Sequence, residues 1–124
     1  MKHNAKSIRT FIGAKNFKES RDFYTDLGFQ ESIITDKFSY FSINENLGFY
    51  LQDYYLKDWI DNSMVFLEVN KVEEHWQGVQ SLGLPEKYKT VRLIPIKQND
   101  WGREYFLHDP SGILWHFGEF NKGD

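Results

Sequence analysis

Arg9-Thr10-Phe11-Ile12 through Leu27-Gly28-Phe29 lies in register, without a gap, over Met64-Val65-Phe66-Leu67 through Leu82-Gly83-Leu84. The offset is 55 residues at both ends, since Phe11 falls on Phe66 and Gly28 on Gly83. Each stretch reads as a strand, a helix and a Leu-Gly exit. One folding unit used twice is the direct implication, and two units facing one another would enclose a cleft. A second match supports the duplication: Gly48-Phe49-Tyr50-Leu51-Gln52 lies over Gly112-Ile113-Leu114-Trp115-His116, so each unit also ends in a similar strand.

Ser7 to Ala14 is rich in β-branched and aromatic residues, and Ile8, Thr10, Ile12 and Ala14 alternate with Arg9, Phe11 and Gly13, the period of a two-faced strand. Asn16 offers an N-cap before Phe17 to Leu27, where Phe17, Phe23, Tyr24 and Leu27 fall near helical spacing, and Gly28 supplies a left-handed exit. Strands are expected near Phe29–Thr35, Phe38–Ile43 and Gly48–Asp53. Tyr54 to Asn62 is the connector. The second unit repeats the plan with a strand over Ser63–Val69 and a helix from Lys71 or Val72 to Leu82, whose Val72, Trp76, Val79 and Leu82 share one face. Its strands fall near Val91–Lys97, Arg103–His108 and Ile113–Phe117. Gly83 and Pro85 stop the helix, and Pro95 marks an edge or bulged strand. The fold class is α+β: two βαβββ modules in one domain over 1–124, module one at about 7–53, the connector at 54–62 and module two at about 63–120. Met1–Lys6 and Asn121–Asp124 read as loose ends.

Composition removes several classes of function. A chain of 124 residues that is 40% hydrophobic suits one domain with a modest core. The formal charge of −3 leaves no positive field to hold a polyphosphate backbone, so nucleic acid is not the expected partner. No apolar run approaches the roughly 20 residues that span a bilayer, and Met1-Lys2-His3-Asn4-Ala5-Lys6 has no apolar stretch of secretory type behind it. A soluble cytoplasmic protein without membrane partners is the expectation. Cysteine is absent, which removes disulfides and thiolate nucleophiles. No Gly-rich phosphate loop and no Gly-x-Ser-x-Gly elbow occur. Aromatic residues make up 18% of the chain, more than a small core consumes, so some of them line a surface or pocket.

If the helices cover one side of each sheet, alternate residues point to the opposite, concave side. These are Arg9, Phe11 and Gly13 on the first strand and Met64, Phe66 and Glu68 on its counterpart. The last strands add Tyr50 and Gln52, then Leu114 and His116. Aromatic surface with a few polar groups describes a small-molecule pocket. Phe11, Met64 and Phe66 have a second reading as core. Arg9 also has two, an ion pair with Glu68 across the floor or a contact to an anionic ligand group. Trp101, at a hairpin tip between Asp100 and Gly102, is exposed unless the neighbouring unit covers it. Glu73-Glu74-His75 reads as a solvated helix face, and His108 as pointing to solvent.

With Ser20-Arg21-Asp22-Phe23-Tyr24-Thr25-Asp26-Leu27-Gly28-Phe29 early and Asp109-Pro110-Ser111-Gly112 before the last strand, the double βαβββ plan resembles the vicinal-oxygen-chelate superfamily of glyoxalases, extradiol dioxygenases and antibiotic-binding proteins. Asp61-Asn62 and the run from Trp101 to Phe117, Arg103 included, are most similar to bleomycin-resistance proteins. That resemblance implies a noncatalytic homodimer whose first strand is exchanged between subunits. Its curved mixed sheets form a shared cleft that sequesters a planar aromatic antibiotic of bleomycin type. It further implies that Trp101 and Phe38 sandwich the flat part of the ligand, with Arg103 among the contacts. The flanks of Phe38, at Ser32, Thr35 and Lys37, are less acidic than a strongly cationic glycopeptide would favour.

The chelating members of the superfamily hold a metal through His, Gln or Glu of the first and last strands. Here those positions read Arg9, Gln52, Met64 and His116. Arginine has no lone pair to donate and methionine suits soft metals, which leaves two ligands where a catalytic site takes three. No cofactor is therefore expected. Two alternatives stand beside the binding protein: a glyoxalase-like lyase or dioxygenase using Gln52, His116 and a neighbour such as Glu68, and a binding protein for another small metabolite.

Overall fold

Asn16 starts the first helix as its side chain predicts: in the computed structural model, which describes residues 1–122, its Oδ1 accepts a hydrogen bond from the Glu19 backbone N–H at 3.0 Å. Gly123 and Asp124, part of the loose end expected at Asn121–Asp124, lie outside the described residues. Module one runs β1 (Phe11–Gly13), α1 (Phe17–Asp26), β2 (Gln30–Thr35), β3 (Phe38–Asn44) and β4 (Leu47–Gln52). Module two runs β5 (Met64–Glu68), α3 (Val72–Ser81), α4 (Leu84–Lys87), β6 (Arg92–Gln98), β7 (Gly102–His108) and β8 (Leu114–Phe120), with α2 (Lys57–Asp61) between the modules. The sheets have equivalent orders, β1-β4-β3-β2 and β5-β8-β7-β6, and in each the first strand lies parallel to the last. Both Leu-Gly exits take positive φ, 107° at Gly28 and 65° at Gly83, which explains the shared glycine. The expected bulge at Pro95 is a register shift between Ile94 and Lys97 on the edge strand β6.

Five local expectations are corrected. The strand expected over Ser7–Ala14 is paired only from Phe11 to Gly13. It is an edge strand with β4 as its sole neighbour, and residues 1–10 are all exposed, Ile8 to 98%. The connector carries the helix α2, which seats the fully buried Ile60 and lays Trp59 on Gly13. A Cβ on Gly13 would fall 2.6 Å from both Trp59 Cζ3 and the Tyr54 carbonyl oxygen. Pro85 opens the short helix α4 rather than only ending α3, a first-turn position where its missing N–H costs nothing. His75 is not on a solvated face: its ring lies 4.8 Å from that of Phe117 and its Nδ1 bonds the Tyr105 hydroxyl, while burial lowers its pKa. Leu82, expected on the packed face of α3, is exposed.

Register refines the internal repeat. Phe11 pairs with Tyr50, and Phe66 pairs with His116. With Phe11 laid over Phe66, the counterpart of His116 is therefore Tyr50, two residues before the Gln52 that the gapless alignment selects. A slip of two keeps every side chain on its face, so the inward and outward sets survive the correction.

The helix-covered faces of both sheets build a common core. Ile12, Phe41, Phe49 and Leu51 come from module one, Tyr105, Leu107, Trp115 and Phe117 from module two, and all are buried. Tyr24 of α1 sits between them, with ring centroids 5.1 Å from Phe49 and 5.8 Å from Trp115. Its hydroxyl donates to Asp109 Oδ2 at 2.6 Å and accepts from Trp115 Nε1 at 2.9 Å. Asp109 Oδ1 accepts the backbone N–H groups of Ser111, Gly112 and Ile113, each at 2.9 Å. Two segments 85 residues apart are thereby locked together.

Tyr24→Phe leaves Asp109 Oδ2 and the Trp115 N–H buried without their partner, so urea denaturation should show a loss of about 2–4 kcal/mol. Burial pushes the Asp109 carboxyl up to about 6 against the donors that surround it. The folded state then holds a proton that the unfolded chain releases near pH 4, and this group's contribution to stability falls as pH rises from about 4 to about 6. Asp109→Asn removes that slope. Its stability relative to the parent should improve by roughly 3 kcal/mol between pH 4 and pH 7, checked by denaturation at each pH.

Candidate functional site

Register places an aromatic wall on the open face of the first sheet. Phe11 pairs with Tyr50, Tyr50 with Tyr40, and Gln52 with Phe38, so all five side chains leave the sheet on the side away from the core. The Phe11 and Tyr50 rings are 4.9 Å apart, and Phe38 meets Phe11 at 5.6 Å and Tyr50 edge-on at 5.7 Å. Arg9 lies on this wall, its guanidinium 4.1 Å above the centre of the Tyr40 ring while Nη1 donates to the Tyr50 hydroxyl at 3.1 Å. The expected ion pair is not the contact observed: among the described residues Arg9 forms none with Glu68, which stands exposed on β5. Phe11 is 41% exposed and is not core.

A second wall covers the open face of the other sheet. Phe66 of β5 meets Trp101 at 5.7 Å and 61° and Phe120 at 5.7 Å, and Trp101 meets Phe120 at 5.0 Å. Trp101 is consequently half-buried, packed on rings of its own sheet rather than on the other module. Gly118 makes this possible, because a Cβ there would fall 2.6 Å from Phe66 Cζ and 3.3 Å from Trp101 Cη2. Met64 and Phe66 are exposed to 66% and 42%, which removes them from the core. His116 is held at both ring nitrogens, Nδ1 by Glu104 Oε1 at 2.9 Å and Nε2 by Met64 Sδ at 3.2 Å. Asn99 Nδ2 donates to the other oxygen of Glu104. Glu104, Phe106, Phe120 and, on the first wall, Tyr40 are site neighbours that the sequence reading omits. The alternation Gly102, Glu104, Phe106, His108 carries the signal for the first two, since β7 lies beside β8 with Phe106 opposite His116.

Arg103 falls outside both walls. It occupies the intervening parity on β7 and turns toward α3, where Nη1 donates to Glu73 Oε2 at 3.1 Å and Nη2 lies 3.9 Å from Glu119 Oε1. Glu119 also accepts the Val72 N–H, so the pair stabilises the start of α3. Of the residues singled out in the sequence, Arg9, Phe11, Phe38, Tyr50 and Gln52 gather on one wall. Met64, Phe66, Trp101 and His116 gather on the other, with Glu68 at its margin. Among the described residues no ring contact crosses from one wall to the other, because both sheets turn their covered faces to the shared core.

The arrangement can stack and hydrogen-bond a flat molecule. Among the described residues no group of three or more His, Cys, Asp or Glu is placed to hold a metal ion. Gln52 and His116, the two remaining ligand types, lie on different walls.

No protein-family model and no curated protein matches the sequence. Among solved structures, the chain is similar to a bleomycin resistance determinant encoded on the transposon Tn5, at 18% identity and a TM-score of 0.78 over 94% of this chain and 100% of that one. A bleomycin-binding protein from bleomycin-producing Streptomyces verticillus, complexed with copper(II)-bleomycin, is 16% identical, with a TM-score of 0.79 over 97% of this chain and 100% of that one. A glyoxalase/bleomycin resistance protein/dioxygenase from Nocardioides is 16% identical, with a TM-score of 0.74 over 99% and 89%. At these identities the likeness shows the fold alone, the double βαβββ arrangement.

Gly118→Ala tests how the second wall is built. The added methyl displaces the Phe66 ring, an end free to swing outward, so Trp101 emission should shift to longer wavelength while far-UV circular dichroism is retained. The shift should vanish in a Trp101→Phe background.

Proposed function

We propose that this protein binds a planar aromatic antibiotic of bleomycin type without transforming it, in clefts formed by a homodimer. The observation that carries this reading is the pair of exposed ring clusters, Phe11-Phe38-Tyr50 and Phe66-Trp101-Phe120, each preassembled on a rigid sheet. Stacked rings contribute about 0.5–1.5 kcal/mol apiece beyond the area they bury, and preassembly limits the ordering cost of binding. His116 fits a noncatalytic role because both its nitrogens are engaged.

The geometry of the single chain supports the dimeric part of this reading. The walls within one chain do not meet, whereas the first wall of one copy laid against the second wall of another would make a two-sided slot. Arg9 would then face the Glu68 and Glu104 side of its partner, a complementary pairing. Segment 1–10, exposed throughout with Ile8 at 98%, supports an arm that crosses to the second copy. The structures similar to this one include proteins crystallised with bleomycin, and the aromatic walls supply what a flat ligand needs.

Titration with bleomycin should quench Trp101 fluorescence and saturate at a fixed stoichiometry, with the ligand recovered unchanged by mass spectrometry. Trp101→Ala should weaken binding about tenfold or more while far-UV circular dichroism shows the fold retained. An unaltered isotherm in that variant, or consumption of the ligand, would overturn the assignment. Light scattering should give a dimer mass.

A further inference from the structure

Away from the ring clusters, a groove of about 640 Å³ opens where the ends of the two modules meet. Its cationic lining comes from three separate segments: Lys15 behind β1, Lys89 behind α4, and Arg92 at the start of β6. We infer that this groove is a binding site for a small polyanion, a molecule carrying two or more carboxylate or phosphate charges.

The charge of the lining favours such a ligand. Among the described residues Lys15, Lys89 and Arg92 have no carboxylate within 4.0 Å, whereas Lys18, Lys57 and Lys87 are each ion-paired. A chain with formal charge −3 therefore gathers three uncompensated cations at one concavity. Glu19 is the lone carboxylate of the lining. Their mutual repulsion is relieved when an anion enters, and a concave low-dielectric wall strengthens that attraction. His108 joins the lining rather than pointing to solvent. Burial lowers its pKa first and the neighbouring Arg92 lowers it further, against a backbone hydrogen bond with Gly112.

The floor of the groove is also fixed by hydrogen bonds. The Lys15 N–H donates to Ser111 Oγ at 2.9 Å, and Thr90 Oγ1 donates to the Pro110 carbonyl at 2.7 Å. The loop that carries Ser111 is fixed by three bonds to Asp109. The cations thus project from a floor that needs no reordering on binding, and the volume matches small-ligand sites rather than a macromolecular track. Tyr55, with the Lys15 Nζ 5.6 Å from its ring centre, adds an apolar side.

Sodium pyrophosphate and sodium citrate, each compared with sodium chloride at equal ionic strength, test the site by calorimetry and thermal shift. At least one should bind saturably and raise Tm beyond the chloride control. A response to pyrophosphate alone assigns a phosphate ligand, to citrate alone a carboxylate ligand, and to both a site that reads charge. Lys89→Gln with Arg92→Gln, both at exposed positions, should weaken binding tenfold or more without changing Tm in chloride. By NMR, the bound anion should raise the His108 pKa. No saturable response to either anion, or equal affinity in the double variant, overturns the inference. Neither result depends on the aromatic walls or on an antibiotic.

Discussion

The hydrogen bond from the Tyr24 hydroxyl to Asp109 is the constraint from which the architecture follows. A carboxylate this deeply buried is tolerated because four donors surround it and a fifth, the indole of Trp115, completes the phenol that serves it. The bond ties α1 of one module to the turn that launches β8 of the other. Because α1 already lies on the first sheet, the covered faces of both sheets must turn toward Tyr24, and Phe41, Phe49, Trp115 and Phe117 merge into one core around it. The same turn presents Ser111 to Lys15 and Ser20, so the junction is also held at its rim.

Turning the covered faces inward has a price: the open faces look outward and remain aromatic. Exposed rings in water are tolerable singly and costly as patches. Each wall reduces that cost by packing against itself, Phe11 on Tyr50 and Phe66 on Trp101, with Arg9 laid over Tyr40 as a polar cover. The residual exposure of Phe11, Met64 and Phe66 is what a flat ligand or a second copy would bury.

Much of this was legible in the sequence because period-2 alternation and the Leu-Gly exits are local signals. They locate both helices of the repeat, seven of the eight strands to within three residues, and the side of the sheet on which Phe11, Tyr50, Phe66 and His116 emerge. What escaped was set by tertiary contact. Pairing with β4 alone decides how much of Ser7–Ala14 is strand. The short helix α2 exists because Ile60 finds the core, and nothing in Tyr54–Asn62 announces it by period. Arg103 reads as a site residue through its place beside Trp101, but one step along a strand reverses its face and delivers it to Glu73. Glu104 has the opposite history, an acid that composition assigns to solvent and that register places under His116.

The relation of Tyr50 to His116 shows how function and fold separate within a duplicated scaffold. The two residues hold equivalent places beside Phe11 and Phe66, yet one is a phenol bonded to Arg9 and the other an imidazole fixed between Glu104 and Met64. Equivalent backbone positions that supplied the same ligand type would bring symmetric donors to a shared ion. Here they supply a ring held by a cation on one wall and a ring held by a carboxylate on the other. For the binding proposed above, such asymmetry would give the two sides of one planar molecule contacts of different polarity, whereas a metal centre would call for like donors.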